Sequence, residues 1–234
     1  MTRKVVLRRR VPQPVISLEL LVEEESADEA LKPVLARIFT DDTVRVKVRR
    51  FQGKHDLLKK LPDRLNGYAA ARRRGEDIRV VVLVDQDNDD CTDLKRKLDS
   101  MAAQAGLTTR AKRPGTAGAF HVLNRIAIRE LESWYFGDWP AVQAAFPKVT
   151  QDVPRNYKHN PDSVSGKCSD AFEKILRAHG IRMPSKPEWG RRIGPKLSLT
   201  DNRSPSFHAF VSGVRDVAAP VSSPGSGSGK KKKG

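Results

Sequence analysis

The stretch Ile78-Arg-Val-Val-Val-Leu-Val-Asp85-Gln-Asp87-Asn-Asp-Asp90 decides the fold. Six of its first seven residues are apolar, and four of them are valine. Alternate side chains of a strand point to opposite faces. A strand this apolar must therefore be covered on both, which is the situation of a parallel strand with helices above and below it. The run then stops abruptly at a string of acids.

Working outward, residues 14–22 carry Val15, Ile16, Leu18, Leu20 and Val22 in near alternation and read as a strand. An acidic turn follows, Glu23-Glu-Glu-Ser26. Ser26 is the expected cap of a helix over residues 28–39, with Leu31, Val34, Leu35 and Ile38 on one face and Asp28 and Glu29 in its first turn. Residues 44–50 alternate valine with Arg45, Lys47 and Arg49, giving a strand with one basic face. Leu57, Leu58, Leu61 and Leu65 predict a helix over residues 56–65, which Pro62 is expected to break or kink, with another turn or two over 68–74. Beyond the aspartates come an expected helix (92–105), a short strand (107–112), a loop, a strand within 120–128 and a helix over 130–136. Strands alternating with helices predict an α/β fold: a Rossmann-like, mostly parallel sheet flanked by helices. From about residue 138 the pattern is helical only (139–146, 169–179, 193–199 and 205–218). Three parts are expected: an α/β domain over 1–137, a helical extension over 138–220, and a tail over 221–234.

Composition limits the partners. The chain has 234 residues, 44 Lys+Arg against 28 Asp+Glu, and a net charge of +16. The Gly/Ser-rich tail ending in Lys230 to Lys233 reads as an added linker and tag, and subtracting its four lysines leaves +12. A surplus of this size favours a polyanion. Arg45, Lys47, Arg49, Arg50, Arg72 and Arg73 are the candidates for backbone-phosphate contacts. The apolar runs fall far short of the ~20 residues of a membrane helix, and no secretion signal is evident, so a cytoplasmic protein without a membrane partner is expected. Two cysteines, Cys91 and Cys168, exclude a disulfide framework, and the five histidines lack paired ligand spacing.

Against that basic background, two acidic clusters lie at the carboxyl ends of predicted strands, where open α/β sheets place their sites. One is Glu23 with Glu24, Glu25 and Asp28. The other is Asp85 and Asp87, with Asp89, Asp90 and Asp93 behind. Gathered carboxylates repel unless a cation neutralises them, and Mg²⁺ (or Mn²⁺) suits an all-carboxylate set. A calcium loop beginning at Asp85 needs Gly sixth and Glu twelfth, where Asp90 and Arg96 stand. A haloacid-dehalogenase-type phosphotransferase motif fits less well, because it opens its domain and has Thr or Val where Asp89 stands. There is no P-loop. The plain structural alternative is a solvated turn of aspartates capping the next helix.

The order strand, Glu23, helix, then strand ending in Asp85-x-Asp87 resembles the Toprim domain of primases, topoisomerases and overcoming-lysogenization-defect nucleases. Leu21-Val-Glu-Glu-Glu-Ser, Phe51-Gln-Gly-Lys-His-Asp-Leu-Leu, Val84-Asp-Gln-Asp, Arg129-Glu-Leu-Glu-Ser-Trp-Tyr-Phe-Gly-Asp and Asn202-Arg-Ser-Pro-Ser-Phe are together similar to a Toprim-like domain-of-unknown-function family of prokaryotic defence loci. The resemblance implies a Mg²⁺-dependent nuclease acting on DNA or RNA, the effector of an antiphage system with an ATPase encoded nearby. It implies Glu23 as metal ligand or general acid/base, Asp85 and Asp87 as the metal-binding pair, Glu132 as a further ligand and Lys54 as a phosphate contact. Two positions depart from the pattern. Glu24 replaces the usual Gly. Ala27 stands where an acid is expected, leaving Asp28, one residue on, as the candidate ligand. A non-catalytic module that binds nucleic acid or docks on an ATPase is the alternative, and self-association is left open.

Other residues read as structural. Glu130 and Glu132 cannot share a helix face, so only Glu132 is expected to point into the site. Trp134, Tyr135, Phe136 and Trp139 are expected in the core, and Ser204 and Ser206 at a helix start. The tyrosines Tyr68, Tyr135 and Tyr157 are not topoisomerase nucleophiles in a chain this short.

Overall fold

A computed structural model describes residues 15–115, 119–182 and 185–219. Four strands, β1 (Ile16–Val22), β2 (Val44–Arg50), β3 (Ile78–Asp85) and β4 (Val122–Ala127), make one all-parallel sheet in the order β2-β1-β3-β4. Helices α1 (Glu25–Ile38), α2 (Lys54–Arg73) and α3 (Cys91–Gln104) connect them. Helices α4 (Ser133–Gly137), α5 (Trp139–Ala145), α6 (Cys168–Ala178), α7 (Lys186–Ile193) and α8 (Pro205–Val217) follow.

The strand alternation sorts the layers. Leu18, Leu20 and Val22 of β1, with Val81 and Leu83 of β3, face α1. Leu21 of β1, with Val80, Val82 and Val84 of β3, faces α2 and α3. Both faces are covered, as the valine-rich run requires. Helices α4 to α8 join the α1 face in one hydrophobic cluster containing Trp134, Tyr135, Phe136 and Trp139. Phe136 stacks on Tyr157 with ring centroids 3.7 Å apart, and Trp134 meets Phe207 and Phe210. Helix α7 lies tightly on α1 because Gly190 has no side chain: a methyl group there would sit 2.6 Å from the Ser26 carbonyl oxygen.

From β1 the chain crosses through α1 to β2. From β3 it crosses through α3 to β4 on the other side. Adjacent strands thus send their connections in opposite directions, which opens a crevice at the carboxyl ends of β1 and β3.

Several local expectations need correction. Pro62 does not end its helix: α2 runs through it for 20 residues. The lost main-chain hydrogen bond costs about 3 kcal/mol, but Leu57, Leu61, Leu65 and Ala69 anchor the helix on the sheet on both sides of the proline. Ser26 does not cap α1; it lies inside the helix and donates to Glu24 instead (2.6 Å). No strand spans 107–112, because only Thr109 bridges to β4 before a 3₁₀ turn turns Arg110 toward Asp216. The helix expected over 193–199 lies earlier, at 186–193, with Pro187 in its first turn and Pro195 beyond its end. Ser204 does cap α8, accepting from the Phe207 N–H (3.2 Å). Ser206 instead receives the Trp134 indole N–H (2.7 Å). The expected tail lies outside the described residues.

Candidate functional site

Each acid is delivered by a strand end. Glu23 directly follows β1, and Asp85 is the last residue of β3, its neighbour in the sheet. The Glu23 carboxylate turns across the crevice and accepts the Asp85 main-chain N–H (2.7 Å). Asp85 in turn accepts the Leu131 N–H beyond β4 (2.9 Å). The two carboxylates are thus clamped by main chain, each through one oxygen.

Two loops interlock around them. The Gln86 N–H donates to the Ala127 carbonyl and the Asp87 N–H to the Arg129 carbonyl, both at 2.8 Å. Asp87 (φ 52°) and Arg129 (φ 65°) both adopt left-handed backbone. Asp tolerates this conformation; Arg does so at a cost of about 1 kcal/mol or more. On the other side the Gly53 N–H reaches the Glu23 carbonyl (2.8 Å), with Gly53 itself at φ 91°. This turn seats Lys54 at the start of α2. Its ammonium group lies 2.6 Å from Asp87 and 2.9 Å from Asp89. Burial works to lower the Lys54 pKa, but the bonds to Asp87 and Asp89 raise it above its ordinary value. Lys54 is therefore an ion-pair partner of the acid loop in this structure.

A second group closes the crevice from the carboxyl-terminal side. Glu132 (2% exposed) and Glu130 (6% exposed) are both buried. Both face Lys186 at the start of α7, at 3.5 and 3.6 Å. The expectation that only one of them could point inward is thus corrected: α4 starts at Ser133, so the helix-face rule does not govern a turn at 130–132. Glu130 also takes the N–H and hydroxyl of Ser169 at the start of α6 (2.8 and 2.9 Å).

Burial is the main cause of the electrostatic character. It lifts Glu23 from 4.5 to about 7, against the Asp85 N–H bond and the Lys54 charge, which pull it down. Burial also raises Asp85 well above the carboxylate range, reinforced by Glu132, Glu23 and Asp87. Glu132 reaches about 7 by burial, with Lys186 opposing and Glu130 adding. Burial depresses the Lys186 ammonium, but its glutamates more than restore it, so it stays charged.

All these donors are carboxylate oxygens, the set that Mg²⁺ or Mn²⁺ prefers. Glu23 and Asp85 each keep one oxygen without a hydrogen bond from a described residue. The residues therefore fit such an ion chemically. Among the described residues, however, no three His, Cys, Asp or Glu side chains converge tightly enough to ligate one. A small cleft of about 90 Å³ opens beside Asp87, lined by Arg129, Glu130 and Lys167.

Other candidates fall elsewhere. Asp28 is buried inside α1, with one oxygen on Lys32 (2.9 Å) and the other without a partner. Arg72 is engaged by Asp77 (3.2 Å) and the Ile78 carbonyl (2.8 Å). Arg49 and Lys47 flank the buried Glu19, at 2.9 and 3.8 Å, and Arg50 pairs with Glu25 (3.2 Å). Arg45 and Arg73 are exposed. Lys186 and Glu130 were not legible as site members: an isolated lysine 99 residues beyond Asp87 carries no motif.

The fold and the crevice define an α/β protein with an acidic site at the switch point of a parallel sheet. The chain belongs to the family described as domain of unknown function DUF4276, whose model matches residues 22–215. No curated protein and no solved structure matches the chain. No helix among the described residues is long and apolar enough to cross a membrane.

Proposed function

We propose that the protein is a Mg²⁺- or Mn²⁺-dependent nuclease of the Toprim type, cleaving phosphodiester bonds of DNA or RNA as the effector of an ATPase-associated antiphage system. One observation carries this: Glu23 and Asp85 end neighbouring parallel strands and are clamped together at the sheet's switch point, with Asp87 and Glu132 close enough to raise the Asp85 pKa. Glu23, Asp85 and Asp87 would hold the ion, with Glu132 completing the set, after drawing closer together than they stand in this structure. A divalent cation bound there supplies Lewis acidity toward a phosphoryl oxygen and makes water more acidic. Glu23 would serve either as a ligand to the ion, and so stay ionised, or, standing off the ion, as a general acid/base, since burial raises its carboxyl to about 7 in the ion-free site. Arg45, Lys47, Arg49 and Arg50 lie on β2, the strand next to β1, and would hold backbone phosphates. The order of motifs adds the likeness to Toprim domains.

The test is cleavage of plasmid DNA and of transfer RNA with Mg²⁺ or Mn²⁺, wild type against the double variant Asp85→Ala/Asp87→Ala. Cleavage by the wild type alone is expected; equal cleavage by both removes these residues from the chemistry. A non-catalytic module that binds nucleic acid or docks on an ATPase is the second reading. It is favoured by the lysines that already neutralise the acids, Lys54 on Asp87 and Lys186 at Glu132. Calorimetric titration with Mn²⁺ separates the two, since the module needs no ion.

A further inference from the structure

Tyr135 belongs to the core by its ring and to the acidic crevice by its hydroxyl. The residue is 1% exposed, and its ring packs on Phe172 with centroids 5.6 Å apart. That contact does not use the hydroxyl. The hydroxyl oxygen is buried and has no hydrogen-bond partner among the described residues. A buried O–H left unpaired has lost its water and gained nothing in exchange, so it opposes folding.

The turn that carries Tyr135 sets where the hydroxyl sits. Glu132 already has helical backbone (φ −60°, ψ −19°), and its carbonyl accepts the Tyr135 N–H (3.0 Å). Residues three apart on a helical turn share a face, so Tyr135 lies beside Glu132. Asp85 is tied into the same turn through the Leu131 N–H (2.9 Å). The field at the phenol agrees with this placement. Burial raises its pKa well above the ordinary tyrosine range, and the charges of Glu132, Asp85 and Glu24 add to it in that order. The hydroxyl is therefore a protonated donor among carboxylates. Glu132, for its part, meets Lys186 only at 3.5 Å, longer than an ordinary hydrogen bond.

We propose that Tyr135 is a positioning residue of the acidic site: when a divalent cation draws the carboxylates together, the Tyr135 hydroxyl donates to Glu132 and fixes it as a ligand. The inference rests on the reading of the crevice as a Mg²⁺ or Mn²⁺ site and adds a residue to it. Carboxylates that bind metals are themselves hydrogen-bonded, and loss of that partner typically weakens binding ~10–100-fold. The move needs no solvent path to the phenol, because donor and acceptor are both already inside the protein. The hydroxyl is thus a cost to the ion-free chain and a partner in the ion-bound one.

The probe is Mn²⁺ itself, titrated calorimetrically into the full chain, with thermal melts of the same proteins in chelator. Tyr135→Phe keeps the ring and removes only the hydroxyl. Its Kd for Mn²⁺ should rise about tenfold. Its melt in chelator should stay at or above that of the wild type, since an unpaired buried O–H has gone. A hydroxyl that merely supported the fold would give the opposite pattern, a lower melt and an unchanged Kd. In a Glu132→Ala background, whose own melt reports folding, Tyr135→Phe should change the Kd less than about twofold, because its partner is gone. Three results would overturn the inference alone. One is a Tyr135→Phe Kd within about twofold of the wild type. Another is a melt in chelator several degrees below the wild type. The third is the full effect persisting in Glu132→Ala. A different result strikes the underlying reading and the inference with it: no Mn²⁺ binding by the wild type, or equal binding by wild type and Asp85→Asn.

Discussion

Replacing Glu23 with Gln should make the protein more stable, and chiefly at high pH. The Glu23 carboxyl titrates near 4.5 when unfolded and at about 7 in the folded chain. The folded state therefore binds the proton more tightly. Its contribution to stability is fully present below 4.5 and is lost as pH rises through 7. At 1.36 kcal/mol per tenfold, the difference is about 3 kcal/mol. Discounting for the part of the side chain that reaches solvent leaves about 2 kcal/mol. Gln keeps the carbonyl that accepts the Asp85 N–H but carries no charge at any pH. For a chain of this length, 2 kcal/mol corresponds to about 4–8 °C in Tm. The assay is thermal unfolding of both proteins in metal-free buffer with chelator, at pH 8 and pH 5. The variant should melt about 4–8 °C higher at pH 8, with the gap reduced to roughly a quarter at pH 5. An equal gap at both values, or a less stable variant at pH 8, would refute burial of a reluctant charge as the cause.

Three further outcomes follow from the geometry. Adding Mn²⁺ or Mg²⁺ at ten times its Kd should raise the wild-type Tm by about 3–6 °C, since binding contributes about 1.4 kcal/mol; the same shift in Asp85→Asn would remove Asp85 from the ion site. Arg129→Gly relieves a left-handed backbone and should gain about 0.5–1 kcal/mol in urea denaturation, whereas a loss above about 1 kcal/mol would mean that the arginine side chain supports the fold. Gly190→Ala forces a methyl group against the Ser26 carbonyl and should cost about 2 kcal/mol; an unchanged urea midpoint would show that α7 can shift off α1 without penalty.

How much was legible varied with how local the cause is. Residues 78–84 announced a doubly covered strand because six of the seven positions, on both faces, are apolar, and Glu23 and Asp85 stood out as acids at the ends of apolar runs. What the sequence hid was tertiary. Pro62 looked like a helix end, since its cost is local while the compensating burial of Leu61 and Leu65 is not. Glu130 was misjudged through a three-residue error in where α4 begins. Lys186 became visible only once α7 was seen to start beside the turn at 130–132 that follows β4.

The pairing of Glu130 and Glu132 with Lys186 also has a consequence in time. All four strands are complete once Ala127 has been made, but Lys186 comes 59 residues later. At about 5–20 residues per second, a ribosome needs about 3–12 s to cover that distance. During that interval the nascent sheet carries its acids without this counter-charge, and α1 lacks the helix that packs on it. The last third of the chain therefore sets the moment at which the crevice closes, and a truncated product ending before α7 would present an open, self-repelling cluster of carboxylates.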